Sequence, residues 1–164
     1  MIRLDVGCGD QRREGFEGID KHDFSASYPD GRFQVHDIKD PLPYDDESID
    51  EIWCHHVFEH LTHRHPDRDM DYLIWVMNEF HRVLKTGSRA HLIVPWVDHP
   101  NAWRHPTHYR YFNQWSFEFW WYSVDKMAGE IATTERHGRW GMERNRIEDN
   151  CHIYAIMVRL AEWP

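Results

Sequence analysis

The sequence predicts an α/β chain built around a mostly parallel, twisted sheet. Three observations predict it. Residues 2–9, IRLDVGCG, read as a short strand that breaks into a Gly-x-Gly turn. Two further short runs, GFEGID at 15–20 and FQVHDI at 33–38, end in acidic residues, and a helical pattern runs directly into the apolar stretch AHLIVP at 90–95. Short apolar strands punctuated by turns and alternating with helix are the pattern of a parallel sheet buried on both faces.

The first strand places Asp5 at the mouth of a turn in which Gly7 and Gly9, lacking a β-carbon, let the backbone press against a ligand. A dinucleotide would need a third glycine at position 12, which is Arg12, and a helix directly after the turn. Only Asp10 to Gly15 precede the second strand, Phe16 to Ile19, too few for a crossover helix. A ligand without a pyrophosphate fits better. Asp20 closes the second strand, where a carboxylate at the C-terminal edge of a parallel sheet can accept two hydrogen bonds from a ribose diol. Asp37 closes the third and can accept from an exocyclic amine.

A fourth strand spans Ile49 to Cys54, and after the polar stretch THRHPDRD a helix carries Leu73, Val76, Met77, Phe80, Val83 and Leu84 at helical spacing. Lys85, Thr86 and Gly87 close it, with Gly87 where a C-cap glycine belongs, and AHLIVP forms a buried fifth strand stopped by Pro95. The remaining third predicts a helix near Trp115 to Met127 and strands near Ile131 to Trp140 and His152 to Leu160. No internal repeat, low-complexity segment or linker interrupts the chain.

A length of 164 residues with 41% apolar content, nine Trp, seven Tyr and eight Phe supports one domain with a sizeable core. The net charge of −9, from 28 acidic and 19 basic residues, disfavours a general nucleic-acid binder. No leader pattern precedes Leu4 and no apolar run is long enough for a membrane span, so a cytoplasmic protein without a membrane partner is expected. Cys8, Cys54 and Cys151 are odd in number and lack metal-type pair spacing, which predicts reduced thiols.

On LDVGCGD at 4–10, GID at 18–20, HDI at 36–38, PLPYDDESIDEIWCHHVFEHL at 41–61 and FHRVLKTGSRAHLIVP at 80–95, the chain resembles the class I S-adenosylmethionine-dependent methyltransferases. The ordered set covers roughly the first 95 residues. The resemblance implies a Rossmann-like three-layer sandwich with strand order 3-2-1-4-5-7-6, the last strand antiparallel. It implies one methyltransferase domain over 1–164, with 1–95 holding the cofactor and the aromatic-rich 96–164 facing the substrate. S-adenosyl-L-methionine is the implied cofactor, held by Asp5, Gly7, Cys8, Gly9, Asp20, Lys21, Asp37, Ile38, Cys54 and His55. Family members carry helices ahead of the first strand and between strands one and two. Helices on the N-terminal side of this chain are reduced, so its cofactor is less covered and either the aromatic C-terminal third or a second subunit must screen the reacting methyl from water; a homodimer is expected.

Methyl transfer from a sulfonium requires positioning of the acceptor and removal of its proton, for which a histidine suffices. The clusters CHHVFEHL and DHPNAWRHPTHYRYF offer His108 as first candidate for general base, His105 as second and His60 as third. The second cluster continues into HPTHYRYFNQWSFEF, which resembles a stretch in small methyltransferases associated with polysaccharide biosynthesis clusters and phages. Ten aromatics fall among the twenty residues Trp103 to Tyr122. Some of these rings, Phe117, Phe119, Trp120 and Trp121 among them, equally suit a core. Interleaved with His and Arg, exposed rings suit a sugar, and Trp103, Tyr109 and Arg110 are the expected substrate contacts. No HExxH or paired-ligand spacing appears among the 14 histidines, so no metal is expected. The leading expectation is O-methylation of a sugar or glycan-precursor hydroxyl.

Methylation of a nucleic-acid base or nucleotide is the rival within enzymes, with Arg136, Arg139, Arg144 and Arg146 gripping phosphate; a solvated hairpin paired with Glu143, Glu148 and Asp149 accounts for the same arginines. DEIWCHHV at the end of strand four is unlike the DPPY or Pro-Cys motifs of base amino-methylation. A non-catalytic cofactor-binding partner subunit is the alternative outside enzymes.

Overall fold

The computed structural model of the chain describes residues 1–11, 13–118 and 140–161. Seven strands form one sheet: β1 (Arg3–Val6), β2 (Glu17–Asp20), β3 (Phe33–Val35), β4 (Ile49–His55), β5 (Leu84–Pro95), β6 (Trp140–Glu148) and β7 (His152–Arg159). Their order across the sheet is β3-β2-β1-β4-β5-β7-β6, as expected. Every pairing from β3 through β5 is parallel, whereas β7 runs antiparallel to both β5 and β6. Leu4 and Val6 of β1, Ile52 of β4 and Leu92 of β5 are fully buried, which is why the central strands read as apolar runs.

The helix α1 (Tyr72–Val83) packs Leu73, Val76, Met77, Phe80 and Val83 into the same core as the sheet. Asp71 caps it, its Oδ1 accepting from the backbone N–H groups of Leu73 at 2.9 Å and Ile74 at 3.2 Å. Among the described residues, α1 and the single-turn α2 (Pro100–Trp103) are the α-helices described in full, and Glu118 is also helical. No helix is found between β1 and β2 among the described residues, in line with the short spacing there. None of the described helices is long and apolar enough to cross a membrane.

Two boundaries differ from the sequence reading. Helix α1 ends at Val83, and Leu84, Lys85, Thr86 and Gly87 belong to β5. Between the pairs Ile49–Leu84 and Glu51–Arg89 the β4–β5 register shifts, and Gly87, with φ of +84°, supplies the left-handed residue of that bulge, where the sequence suggested a helix cap. The sixth strand occupies Trp140–Glu148, C-terminal to the predicted Ile131–Trp140. Of the predicted helix near Trp115 to Met127, residues 119–127 lie outside the described residues, as do 131–139 of the predicted strand and Phe119, Trp120, Trp121, Arg136 and Arg139.

Candidate active site

A cavity of about 610 Å³ opens at the C-terminal ends of β1, β2 and β4, where a parallel sheet collects its loops. Gly7 ends β1 with φ of +67°, and its N–H bonds the carbonyl of Ile19 at 2.8 Å. A β-carbon there would lie 2.2 Å from Val57 Cγ2, so the turn lies directly against the segment that follows β4. Two residues on, the Gly9 N–H donates to Asp20 Oδ2 at 3.1 Å, while Asp20 Oδ1 accepts from the backbone of His22 at 3.0 Å. These bonds fix the Asp20 carboxylate at the cavity wall, with accepting capacity in reserve on each oxygen. Asp37 Oδ1 accepts from the backbone of Lys39 at 3.1 Å and from the Tyr72 hydroxyl at 3.4 Å, on the same wall.

The other wall forms where β4 ends. His56 has φ of +57°, unusual for a side chain of its size, and this left-handed step turns the chain from the strand into a 3-10 turn over Phe58–His60. Phe58 anchors the turn, fully buried against Phe80 and Phe117. Glu59 is also buried. Its Oε1 lies 2.7 Å from His56 Nδ1, and its Oε2 has no hydrogen-bond partner among the described residues. The Glu59 carbonyl accepts from the N–H groups of Tyr109 at 2.7 Å and Arg110 at 3.2 Å, joining this turn to the loop after α2.

His60, His105 and His108 converge at that junction. His60 Nδ1 faces the Thr107 carbonyl at 3.1 Å and its hydroxyl at 2.9 Å; His105 Nδ1 is 2.8 Å from the same hydroxyl, and His108 Nδ1 is 2.8 Å from the Ala102 carbonyl. Burial holds the His60 pKa below its ordinary value.

Of the residues expected from the sequence, Gly7, Asp20, Lys21, Asp37, Ile38, His60 and Tyr109 line the cavity. Asp5 lies inside β1, 5% exposed; burial pushes it up to about 6, opposed by Arg13, whose Nε is 3.5 Å from Oδ2. Cys8 and Cys54 are buried, and burial raises both thiols, Cys8 to about 11, so neither is poised as a thiolate. Cys8, Gly9 and Cys54 do not line the cavity, and neither does His55 at the tip of β4. Partial burial of its imidazole, with His56 and His152 nearby, pushes His55 down to about 4.

Trp103 stacks on Tyr111 with ring centroids 4.0 Å apart, exposed but outside the cavity. Arg110, expected as a substrate contact, is taken up internally: Nε donates to the Leu61 carbonyl at 3.0 Å, and Nη2 donates to the Thr62 carbonyl at 2.6 Å and to Asp71 at 3.0 Å. Phe117 lies in the core. Arg146 pairs with Glu148, and Arg144 lies over the Tyr154 ring, so β6 presents no free phosphate clamp at these two positions. His56, Val57, Tyr72 and Thr107 also line the cavity and were missed from the sequence, although the His56-x-x-Glu59 spacing carried a signal.

A family model described as a methyltransferase domain matches residues 19–92. Over residues 19–92 the chain is similar to that methyltransferase domain. The chain shares its fold with an S-adenosylmethionine-dependent methyltransferase from Methanosarcina mazei, at TM-score 0.64 and 16% identity over 98% of this chain and 92% of the other. A Haloferax volcanii complex between a methyltransferase and the Trm112 methyltransferase activator gives TM-score 0.64 and 16% identity over 98% and 83%. Geranyl diphosphate C-methyltransferase from Streptomyces coelicolor A3(2), solved with Mg2+, geranyl diphosphate and S-adenosyl-L-homocysteine, gives 0.59 and 15% over 97% and 72%. At such identities the likeness is one of fold. No curated protein sequence matches the chain.

Of these neighbours, the Methanosarcina mazei protein is described as S-adenosylmethionine-dependent and the Streptomyces coelicolor enzyme was solved with S-adenosyl-L-homocysteine, and S-adenosylmethionine is the cofactor expected from the sequence. The cavity fits it, with a turn that admits no β-carbon at Gly7 and two carboxylates, Asp20 and Asp37, on one wall.

Proposed function

We propose that the domain methylates a hydroxyl of a sugar or glycan precursor, with His56 as the group that accepts the hydroxyl proton. The observation that carries this reading is that His56, paired with the buried Glu59 behind it, lines the same cavity as Asp20 and Asp37. In this reading residues 1–95 hold the cofactor and 96–164 face the acceptor within one domain. Asp20 accepts from the ribose diol, Asp37 accepts from the adenine amine, and Gly7 gives the cofactor close approach to the backbone.

When bound, S-adenosylmethionine supplies a methyl carbon on a sulfonium; the acceptor oxygen bonds to that carbon as the carbon–sulfur bond breaks and its electron pair stays on sulfur. The protein positions the oxygen and removes its proton. Ionised Glu59 can only accept, so His56 carries hydrogen on Nδ1 and keeps the Nε2 lone pair for the acceptor's proton. The buried carboxylate then stabilises the imidazolium that forms. His108, the sequence's first candidate, bonds Ala102 and does not line the cavity, and it yields the role of base to His56.

The exposed ring of Tyr109 at the cavity wall offers an apolar face to a sugar. The similarity of HPTHYRYF to methyltransferases of polysaccharide clusters supports the same acceptor class. With no helix over the β1–β2 connection among the described residues, a second copy of the chain screens the reacting methyl, and light scattering at working concentration should give a dimer mass.

Calorimetric titration with S-adenosylhomocysteine tests the cofactor assignment. Loss of two hydrogen bonds to a charged group predicts weakening by about 100-fold in Asp20→Ala; unchanged affinity would refute it. Labelled methyl transferred to nucleotide sugars and not to DNA or RNA supports the acceptor class, and the reverse pattern sinks it.

A further inference from the structure

We propose that His60, His105 and His108 bind a divalent transition-metal ion of the zinc class at the edge of the cavity. One ring nitrogen from each lies within 4.8 Å of one from each of the others. Nitrogens sharing a tetrahedral zinc ion stand about 3.4 Å apart, so a side-chain movement of roughly an ångström completes the geometry. His60 and His105 are exposed and His108 is half-buried.

The surrounding bonds prepare the rings for metal. The Thr107 and Ala102 carbonyls can only accept, so His60 and His108 carry hydrogen on Nδ1 and present Nε2 as a lone pair. Metal-ligating histidines are commonly oriented by such outer acceptors. The Thr107 hydroxyl stands between His60 at 2.9 Å and His105 at 2.8 Å and fixes the two rings relative to each other. The rings of His105 and His108 stack with centroids 5.2 Å apart, and His60 stands edge-on to both.

Three imidazoles without a carboxylate select a borderline ion over magnesium or calcium, which require oxygen ligands. A fourth position on the ion remains for a water or an acceptor oxygen. Because His60 and Thr107 also line the cavity, the ion stands where it can bind an acceptor oxygen and acidify its hydroxyl. That role rests on the methyl-transfer reading; binding of the ion does not. The histidines at the end of β4 and the start of β7 form a different group: His55, His56 just after β4 and His152 crowd together, but His56 Nδ1 is committed to Glu59.

Cobalt(II) titration of the full chain, stripped of metal with a chelator and dialysed, tests the site by the visible d–d absorption of a low-coordinate ion. One cobalt per chain is expected. His105→Ala and His108→Ala each weaken binding by about 100-fold or more, Thr107→Val by about tenfold, and His152→Ala leaves it unchanged, each variant being folded by circular dichroism. Absence of stoichiometric binding overturns the proposal, as does binding that survives His105→Ala or is lost in His152→Ala. S-adenosylhomocysteine affinity, measured on the same samples, reports separately on the methyl-transfer reading. Cobalt bound at this site without that affinity removes the acceptor role and leaves the metal site standing.

Discussion

His56 Nδ1 lies 2.7 Å from Oε1 of Glu59, a carboxylate only 1% exposed. The other carboxylate oxygen is buried without a partner among the described residues. A buried carboxylate with one unpaired oxygen carries a desolvation cost that packing alone does not offset. An acidic group at this point gains something from the charge it can place beside His56.

Glu59→Gln keeps the shape and removes the charge. The glutamine amide can donate to Nδ1 and reverse the tautomer, which takes the Nε2 lone pair away from the acceptor. A fall in kcat of about 10²- to 10⁴-fold is expected, with S-adenosylhomocysteine affinity held within a few-fold. Single-turnover methyl transfer beside calorimetry separates the two quantities. A variant that loses donor affinity and keeps its rate would contradict the assignment of His56 as base.

Gly7 and Val57 touch across the cavity floor, and that contact predicts a double-mutant result. In Gly7→Ala the new methyl meets Val57 Cγ2 at 2.2 Å, and the backbone retains φ of +67°. The conformational part alone costs about 1–2 kcal/mol. Val57→Ala in the same chain removes Cγ2 and should restore the steric part of the loss and not the conformational part. Urea unfolding of the two single variants and the double variant measures the coupling, and strictly additive losses would rule out the contact.

Arg110 ties three segments: the loop after β4 through the carbonyls of Leu61 and Thr62, its own loop, and the start of α1 through Asp71. Lysine cannot reproduce a fork of three such bonds. Arg110→Lys should lower stability by about 1–3 kcal/mol in urea unfolding. A substrate contact, the role expected from the sequence, predicts unchanged stability and a raised acceptor KM.

The parts of this molecule that were legible in the sequence are those set by local periodicity. β1, β2, β4, α1 and the apolar half of β5 follow from alternation, helical spacing and turn residues, and Asp20 and Asp37 follow from their places at strand ends. Gly87 was misread because a helix C-cap and a strand bulge both ask glycine for a positive φ. The sixth strand was displaced because an edge strand with one neighbour tolerates the charges of MERNRIE and loses its apolar alternation. At the end of β4 the left-handed step at His56 rotates the following side chains, which puts His56 and Val57 on the cavity while Cys54 stays in the core. Spacing along the chain carries no trace of that step. The meeting of His60 with His105 and His108 depends on backbone bonds from Tyr109 and Arg110 to Glu59, contacts distant in sequence.

Asp5 sets a pH dependence that can be isolated by one substitution. Burial raises its pKa from 3.8 to about 6, the Arg13 guanidinium opposing part of the rise. Between these two values the folded chain holds a proton that the unfolded chain has released, so the contribution of Asp5 to stability is full below pH 3.8 and is lost as pH rises through about 6. The shift corresponds to roughly 3 kcal/mol. His55, pushed down to about 4, acts with the opposite sign: its folded form binds fewer protons than the unfolded form, and its contribution is lost as pH falls. Both proteins in a comparison of wild type with Asp5→Asn share the His55 effect, so it cancels in the difference. Asparagine cannot ionise, and the variant should therefore gain on the wild type by up to about 3 kcal/mol between about pH 4 and pH 7. Urea unfolding at both pH values measures this. A difference independent of pH would mean that the Asp5 carboxylate keeps its ordinary pKa in the fold and that Arg13 offsets its burial in full.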